Sequence, residues 1–250
     1  MWKGVDVSKW NGKADWKAAA GSGIRFAMVR AATGGRSGGC TRDPLFEYHV
    51  TQAAAAGLRV GAYLYSYAMS VEAAVSEAKA LLELLEPLRG KITFPVAFDC
   101  EETAQTALGR ETLTAMANAF CKTVGDAGYR TLVYANPNWL KRYYDAEALN
   151  APVWLAQWAK TPTWTGKYEL WQYSDSGSVP GFSGNVDLNI AYTGYEERPG
   201  RAEEAIERLS QEGLIDSPGY WKQVTGGEKQ ASAANVAALL EKWAASLPGA

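Results

Sequence analysis

Long apolar runs are missing from this sequence, and none approaches the roughly 20 residues that a membrane-spanning helix needs. Histidine is almost missing as well. His49 is the single one among 250 residues, which excludes a multi-histidine metal centre and leaves any Ser/His/Asp chemistry resting on one side chain. Cysteine is scarce and odd in number. Cys40, Cys100 and Cys121 lack metal-ligand spacing and read as thiols rather than a disulfide framework. Neither sign of charge dominates. A formal net charge of −2 gives no strong field toward nucleic acid or an anionic membrane. No metal, no cofactor, no nucleic acid and no membrane insertion are expected. The opening Met1-Trp2-Lys3-Gly4-Val5-Asp6 has no apolar signal-peptide core, so the expectation is synthesis in the cytoplasm, or a leader removed beforehand.

Aromatic residues, in contrast, are plentiful. With 10 Trp, 13 Tyr and 47% hydrophobic residues, the chain can fill one barrel-sized core and a small appendage. Strand-like runs, mostly punctuated by Gly, Asn or Pro, occur at 4–7, 24–32, 58–67, from Phe94, and at 130–135, 152–157, 168–173 and 185–190. Helical patterns fill the early gaps at 14–20, at 44–56 with Asp43 as N-cap, at 71–88 with Ser70 as N-cap, at 111–127 before Gly128, and at 137–144. Strand alternating with helix argues for a parallel sheet, here closed into a barrel. The late gaps at 158–167 and 174–184 are too short and too rich in Pro, Gly, Ser and Thr for helical crossovers. The predicted fold class is therefore α/β, an irregular (β/α)5(β)3 TIM-like barrel with some antiparallel pairing among the last strands.

The barrel is expected over residues 1–195, followed by a linker at 196–200 and a small helical module at 201–250. The module shows an amphipathic pattern at 201–213, a turn or short helix from Ser217, and a helix at 232–247. Its single small apolar stripe cannot hold much of a core alone. Ligand binding, self-association and simple packing all stay open for it.

Chemistry concentrates at Phe94–Glu102, an apolar run that ends in acid. Strand alternation puts Asp99 and Glu101 on one face with Pro95 and Ala97, and Val96, Phe98 and Cys100 on the other. A lone pair of such acids is commonly solvated in a loop. Here two more carboxylates accompany them. Asp6 stands near the end of the first strand opposite in phase to Val5 and Val7, and Asp187 alternates against Val186 and Leu188. Crowded carboxylates raise one another's pKa, and a proton donor beside a charged acid is what glycoside hydrolysis requires.

The segment Gly4-Val5-Asp6-Val7-Ser8-Lys9-Trp10-Asn11-Gly12, followed by Asp15-Trp16, resembles the opening of glycoside hydrolase family 25, the Chalaropsis-type lysozymes of bacteria and phages. Phe26-Ala27-Met28-Val29-Arg30, Gly61-Ala62-Tyr63-Leu64-Tyr65-Ser66, Phe98-Asp99-Cys100-Glu101, Trp171-Gln172-Tyr173 and Gly184-Asn185-Val186-Asp187-Leu188-Asn189 resemble the family in the same order. The resemblance implies a flattened barrel and cleavage of the β-1,4 bond after N-acetylmuramic acid in bacterial peptidoglycan. It gives Glu101 the role of acid/base and Asp99 that of second acid, with Asp6 and Asp187 as further acids. Two routes stay open. In one, Asp99 orients the substrate's own acetamido group as nucleophile; in the other, Asp6 or Asp187 activates water. A phage endolysin acting on the wall after release is the implied setting. A chitin-type hydrolase and a non-catalytic peptidoglycan-binding barrel are the rivals.

Tyr63, Tyr65, Tyr134 and Trp158 sit at strand ends, where each can stack on a sugar or pack inward. Trp16 and Trp139 read as packing residues, His49 as a packing or surface residue, and Glu102 as a loop or capping acid. Arg30 is expected to face inward, pairing with an acid or touching substrate.

Overall fold

The computed structural model describes residues 1–193, 201–225 and 229–246. The linker expected at 196–200 lies outside them. The chain divides into two compact units, Met1–Tyr195 and Glu196–Ala250.

The first unit is a ring of eight strands. In chain order its elements are β1 (Trp2–Val7), α1 (Trp16–Gly21), β2 (Phe26–Gly34), β3 (Cys40–Arg42), α2 (Phe46–Ala55), β4 (Arg59–Tyr65), α3 (Val71–Leu85), β5 (Val96–Asp99), α4 (Arg110–Asp126), β6 (Thr131–Ala135), α5 (Pro137–Arg142), β7 (Val153–Ala156), β8 (Leu170–Gly177) and β9 (Val186–Ala191). Around the ring the strands run β1, β9, β8, β7, β6, β5, β4, β2 and back to β1. All neighbours pair in parallel except β9, which runs antiparallel to both β8 and β1. Five helices accompany the early strands, and the last links are helix-free, as the gap lengths require. β7 and β8 nevertheless pair in parallel across a helix-free link.

β3 was not foreseen in the sequence. It is three residues long and flanked by glycine, and it pairs only with the last residues of β2, outside the ring. Asp43 is another departure. The helix begins at Phe46, and Asp43 accepts from the Leu45 N–H while its second oxygen is taken by Arg30. Ser70 does cap α3, accepting from the Ala73 N–H at 3.2 Å.

Strand alternation separates two cores. Val5, Val29, Val60, Phe98, Val133 and Leu155 face outward, where they pack beneath the helices. Phe26, Met28, Ala97, Leu132, Tyr134 and Trp154 fill the interior. Gly4 and Gly61 make room there, since a Cβ would strike the Phe26 ring in one case and Met28 and the Pro95 carbonyl in the other. Trp16 and Trp139 are buried as expected. His49 is fully buried, its Nδ1 accepting from the Trp16 indole N–H at 3.3 Å. Burial lowers its pKa to about 4, so it is neutral at neutral pH.

The second unit contains α6 (Arg201–Gln211), α7 (Pro218–Thr225) and α8 (Ala233–Ala245), with Ser232 capping α8. Val236, Leu240 and Trp243 are exposed on one side of α8.

Candidate active site

The acids meet at the C-terminal ends of the parallel strands. Asp6 comes from β1 and Asp99 ends β5, while Glu101 lies just beyond that strand in the loop. Because β9 is reversed, its beginning reaches this same end, and Asp187 pairs in register with Asp6. Chain reversal is what brings the fourth acid into place.

Asp6 is buried, and its Oδ2 accepts from Asn189 Nδ2 at 2.7 Å and from Gln172 Nε2 at 3.0 Å. Gln172 Nε2 also reaches Asp187 Oδ2 at 3.2 Å. Asp6 and Asp187 thus share one amide donor, and two carboxyls held so near one another each disfavour the other's charge. Burial raises Asp6, against the hydrogen bonds from Gln172 and Asn189 that lower it. Burial first, and then Asp6, push Asp187 up to about 8.

Asp99 differs. It is buried, yet among the described residues its Oδ1 has no hydrogen-bond partner. Burial, then the charges of Glu101 and Asp6, hold it well above the usual carboxylate range, with Arg30 opposing them. Glu101 is also raised, by burial and then by Glu102. Arg30 is anchored by Asp43, Nε to Oδ2 at 3.0 Å, so the pairing expected of it is with Asp43.

Gln172 is a hub that strand patterning did not single out. Its Oε1 accepts from the Tyr134 hydroxyl and from the Trp158 indole N–H, each at 3.1 Å. Its amide therefore spans two acids and two aromatics. Asn189 is the second amide missed, accepting from the buried Trp154 indole N–H at 2.8 Å while donating to Asp6. The Trp171-Gln172-Tyr173 and Val186-Asp187-Leu188-Asn189 segments carried the signal, but an amide's role is visible only beside its partners.

The four aromatics occupy different settings. Trp158 is 61% exposed while its indole N–H stays bonded, which leaves ring surface for a ligand. Tyr134 is buried edge-on against Trp154 with ring centroids 4.9 Å apart. Tyr63 is half-buried and also meets Trp154 edge-on, and its hydroxyl is raised by burial and then by Asp6 and Asp99. Tyr65 donates to Glu102 Oε1 at 2.8 Å. Glu102 precedes a short 3-10 turn and its N–H donates to Gln105 Oε1, consistent with a capping acid. A separate cavity of about 1230 Å³, lined among others by Arg110, Lys141, Trp164 and Glu169, lies beside the start of β7 and β8 and is lined by none of the four acids.

A closed α/β barrel that gathers four carboxyls of raised pKa and an exposed aromatic at its strand ends has the equipment of a glycoside hydrolase. Comparison with known proteins agrees. The profile described as glycosyl hydrolases family 25 matches residues 5–182, and the chain belongs to this family, a glycoside hydrolase of the lysozyme type. The protein YegX from Escherichia coli O157:H7 is 29% identical over 202 residues, covering 78% of this chain and 70% of its own length. The autolytic lysozyme of Clostridium acetobutylicum is 27% identical over 188 residues, which cover 75% of this chain and 55% of that protein. A family 25 glycosyl hydrolase from Bacillus anthracis superposes with a TM-score of 0.62 at 25% identity, over 77% of this chain and 89% of that structure.

Proposed function

We propose that the chain is an N-acetylmuramidase that hydrolyses the β-1,4 bond between N-acetylmuramic acid and N-acetylglucosamine in bacterial peptidoglycan. The observation that carries this reading is the contrast between Asp99 and Asp6. Asp6 accepts from Gln172 and Asn189, whereas among the described residues Asp99 Oδ1 is a buried acceptor without a donor. A buried acceptor of that kind is unfavourable until a donor reaches it, and a bound ligand is one source of that donor. The N–H of the substrate's 2-acetamido group is such a donor. Its hydrogen bond favours ionised Asp99 and turns the acetamido oxygen toward the anomeric carbon as internal nucleophile.

Glu101 supplies the proton. Its raised pKa keeps it protonated enough to donate to the leaving oxygen, and the resulting carboxylate then takes a proton from the attacking water. Asp6 and Asp187 hold Gln172, which in turn holds Tyr134 and Trp158. These two acids act as scaffold and electrostatic background, so direct activation of water by either is the poorer route. The named autolytic lysozyme among the relatives supports the wall as substrate.

The test is reducing-end release from purified Gram-positive peptidoglycan and from plain chitin oligomers, wild type beside Glu101→Gln, with mass spectrometry of the products. Muramic acid at the new ends and loss of release in the variant are the expected result. Release from chitin alone would replace the muramidase reading with a chitinase one. Binding without release from either would leave a glycan-binding barrel.

A further inference from the structure

One buried acid outside the cluster is tied to it through hydrogen bonds. Glu77 projects from α3 on the face that carries Ala73, Ala74, Ala78 and Leu81, and it is fully buried. A carboxylate in such a stripe is unfavourable unless donors surround it. Here they do. Oε2 accepts from the Ser66 hydroxyl at 2.6 Å and Oε1 from the Tyr67 N–H at 3.2 Å, while the Ala68 N–H donates to Ser66 Oγ at 3.2 Å. Gly34 lies so close that any side chain there would collide with the carboxyl. The end of β2, the loop at 66–68 and α3 thus converge on one side chain.

That loop supports the acids. The Ser66 N–H donates to the Asp99 carbonyl at 2.7 Å. Gln105 Nε2 donates to the carbonyls of Ser66 at 3.2 Å and Ala68 at 2.9 Å, and Gln105 Oε1 accepts from the Glu102 N–H at 3.0 Å. Asp99 and Glu102 therefore both hang on the loop, with Glu101 between them.

We propose that Glu77 is a positioning residue for hydrolysis: its carboxyl pins the loop at 66–68 and, through Ser66 and Gln105, sets the segment Asp99–Glu102. This rests on the muramidase reading for its kinetic consequence alone. The ionised carboxylate accepts from two donors at once, one on each oxygen. A protonated one must donate, and among those partners only the Ser66 hydroxyl can turn round to accept. Protonation thus reverses the link that holds the loop. Burial raises Glu77 to about 7 against hydrogen bonds that lower it, so both forms are reached near neutrality. The thiols of Cys40 on β3 and Cys100 after β5 feel its charge, and both are pushed up and neutral in that range.

The experiment uses the full chain and Glu77→Gln, which keeps shape and removes the titration. Backbone amide shifts of 66–68 and of Glu102 are followed by NMR from about pH 5 to 9, around the carboxyl's expected midpoint. A shared midpoint near 7 in wild type, absent from both places in the variant, supports the proposal. A Glu102 amide that titrates identically in both proteins overturns it. In peptidoglycan hydrolysis the variant is expected to lose about tenfold in kcat with little change in KM, short of the 10²-fold that a 1 Å misplacement can cost. Its pH profile should lose the limb near 7. A lower melting temperature with unchanged kcat and pH profile makes Glu77 merely structural and overturns the proposal. Wild type inactive on every wall sinks the muramidase reading, while the amide titration still decides the role of Glu77.

Discussion

Asp6 and Asp187 stand directly opposite each other on antiparallel neighbours and both accept a hydrogen bond from one amide nitrogen, that of Gln172. Each disfavours the other's charge, and the amide holds the pair in place. The same amide's oxygen fixes Tyr134 and Trp158, so one side chain links the electrostatics of the site to its aromatic rim.

Replacing that side chain is therefore expected to be costly. Gln172→Ala removes one of the two donors to Asp6 Oδ2 and leaves the buried Tyr134 hydroxyl without its acceptor, a loss of about 1–3 kcal/mol in stability. Hydrolysis should fall with it. Urea unfolding and reducing-end release measure the two losses. A variant as stable and active as wild type would remove Gln172 from the account.

The Asp187 proton makes stability depend on pH in an unusual direction. Its folded pKa, about 8, lies above its ordinary 3.8, so the folded chain holds this proton more tightly than the unfolded one. The stabilisation is whole below about pH 4 and is lost as pH rises toward 8. Asp187→Asn removes that term. Its melting temperature should change less than that of wild type between these limits and should exceed it at alkaline pH, read by calorimetry in buffers of equal ionic strength.

Trp158 and Trp154 should separate binding from folding. Trp158 is 61% exposed, so Trp158→Ala is expected to raise KM several-fold and leave the melting temperature nearly unchanged. Trp154 is 1% exposed and bonded to Asn189, and Trp154→Ala is expected to cost about 3–5 kcal/mol. Parallel kinetics and melts of both variants check the contrast.

The stereochemistry of hydrolysis tests the role given to Asp99. Acetamido assistance retains the anomeric configuration, and NMR of the first products, taken before mutarotation, should show the β anomer. Asp99→Asn should lower kcat by roughly 10²–10⁴, the range of positioned acid–base groups. An inverted product would transfer the decisive role to an acid that activates water.

Much of this architecture could be read from residue order, because alternation is a local property. The out-of-phase placement of Asp99 against Val96 and Phe98, and of Asp6 against Val5 and Val7, reappears as the division between interior and exterior cores. Long-range partners could not be read in that way. Asp43 looked like a helix cap until the fold set Arg30 beside it. Gln172 and Asn189 are ordinary strand amides until Asp6, over 160 positions away, becomes their acceptor. Glu77 did leave a trace, four residues from both Ala73 and Leu81 on the apolar stripe of α3, where an acid is out of place unless donors await it.

The reversal of β9 also has a use in engineering. Ala191 pairs with Trp2 at the far end of the ring from the acids, so the two ends of the barrel's chain are neighbours there. At that seam the ring is closed by the β1–β9 hydrogen-bond ladder alone, without a covalent link between the two strands. A short loop across the seam would let the barrel be cut and restarted at another surface turn, with the carboxyls held by the same strands.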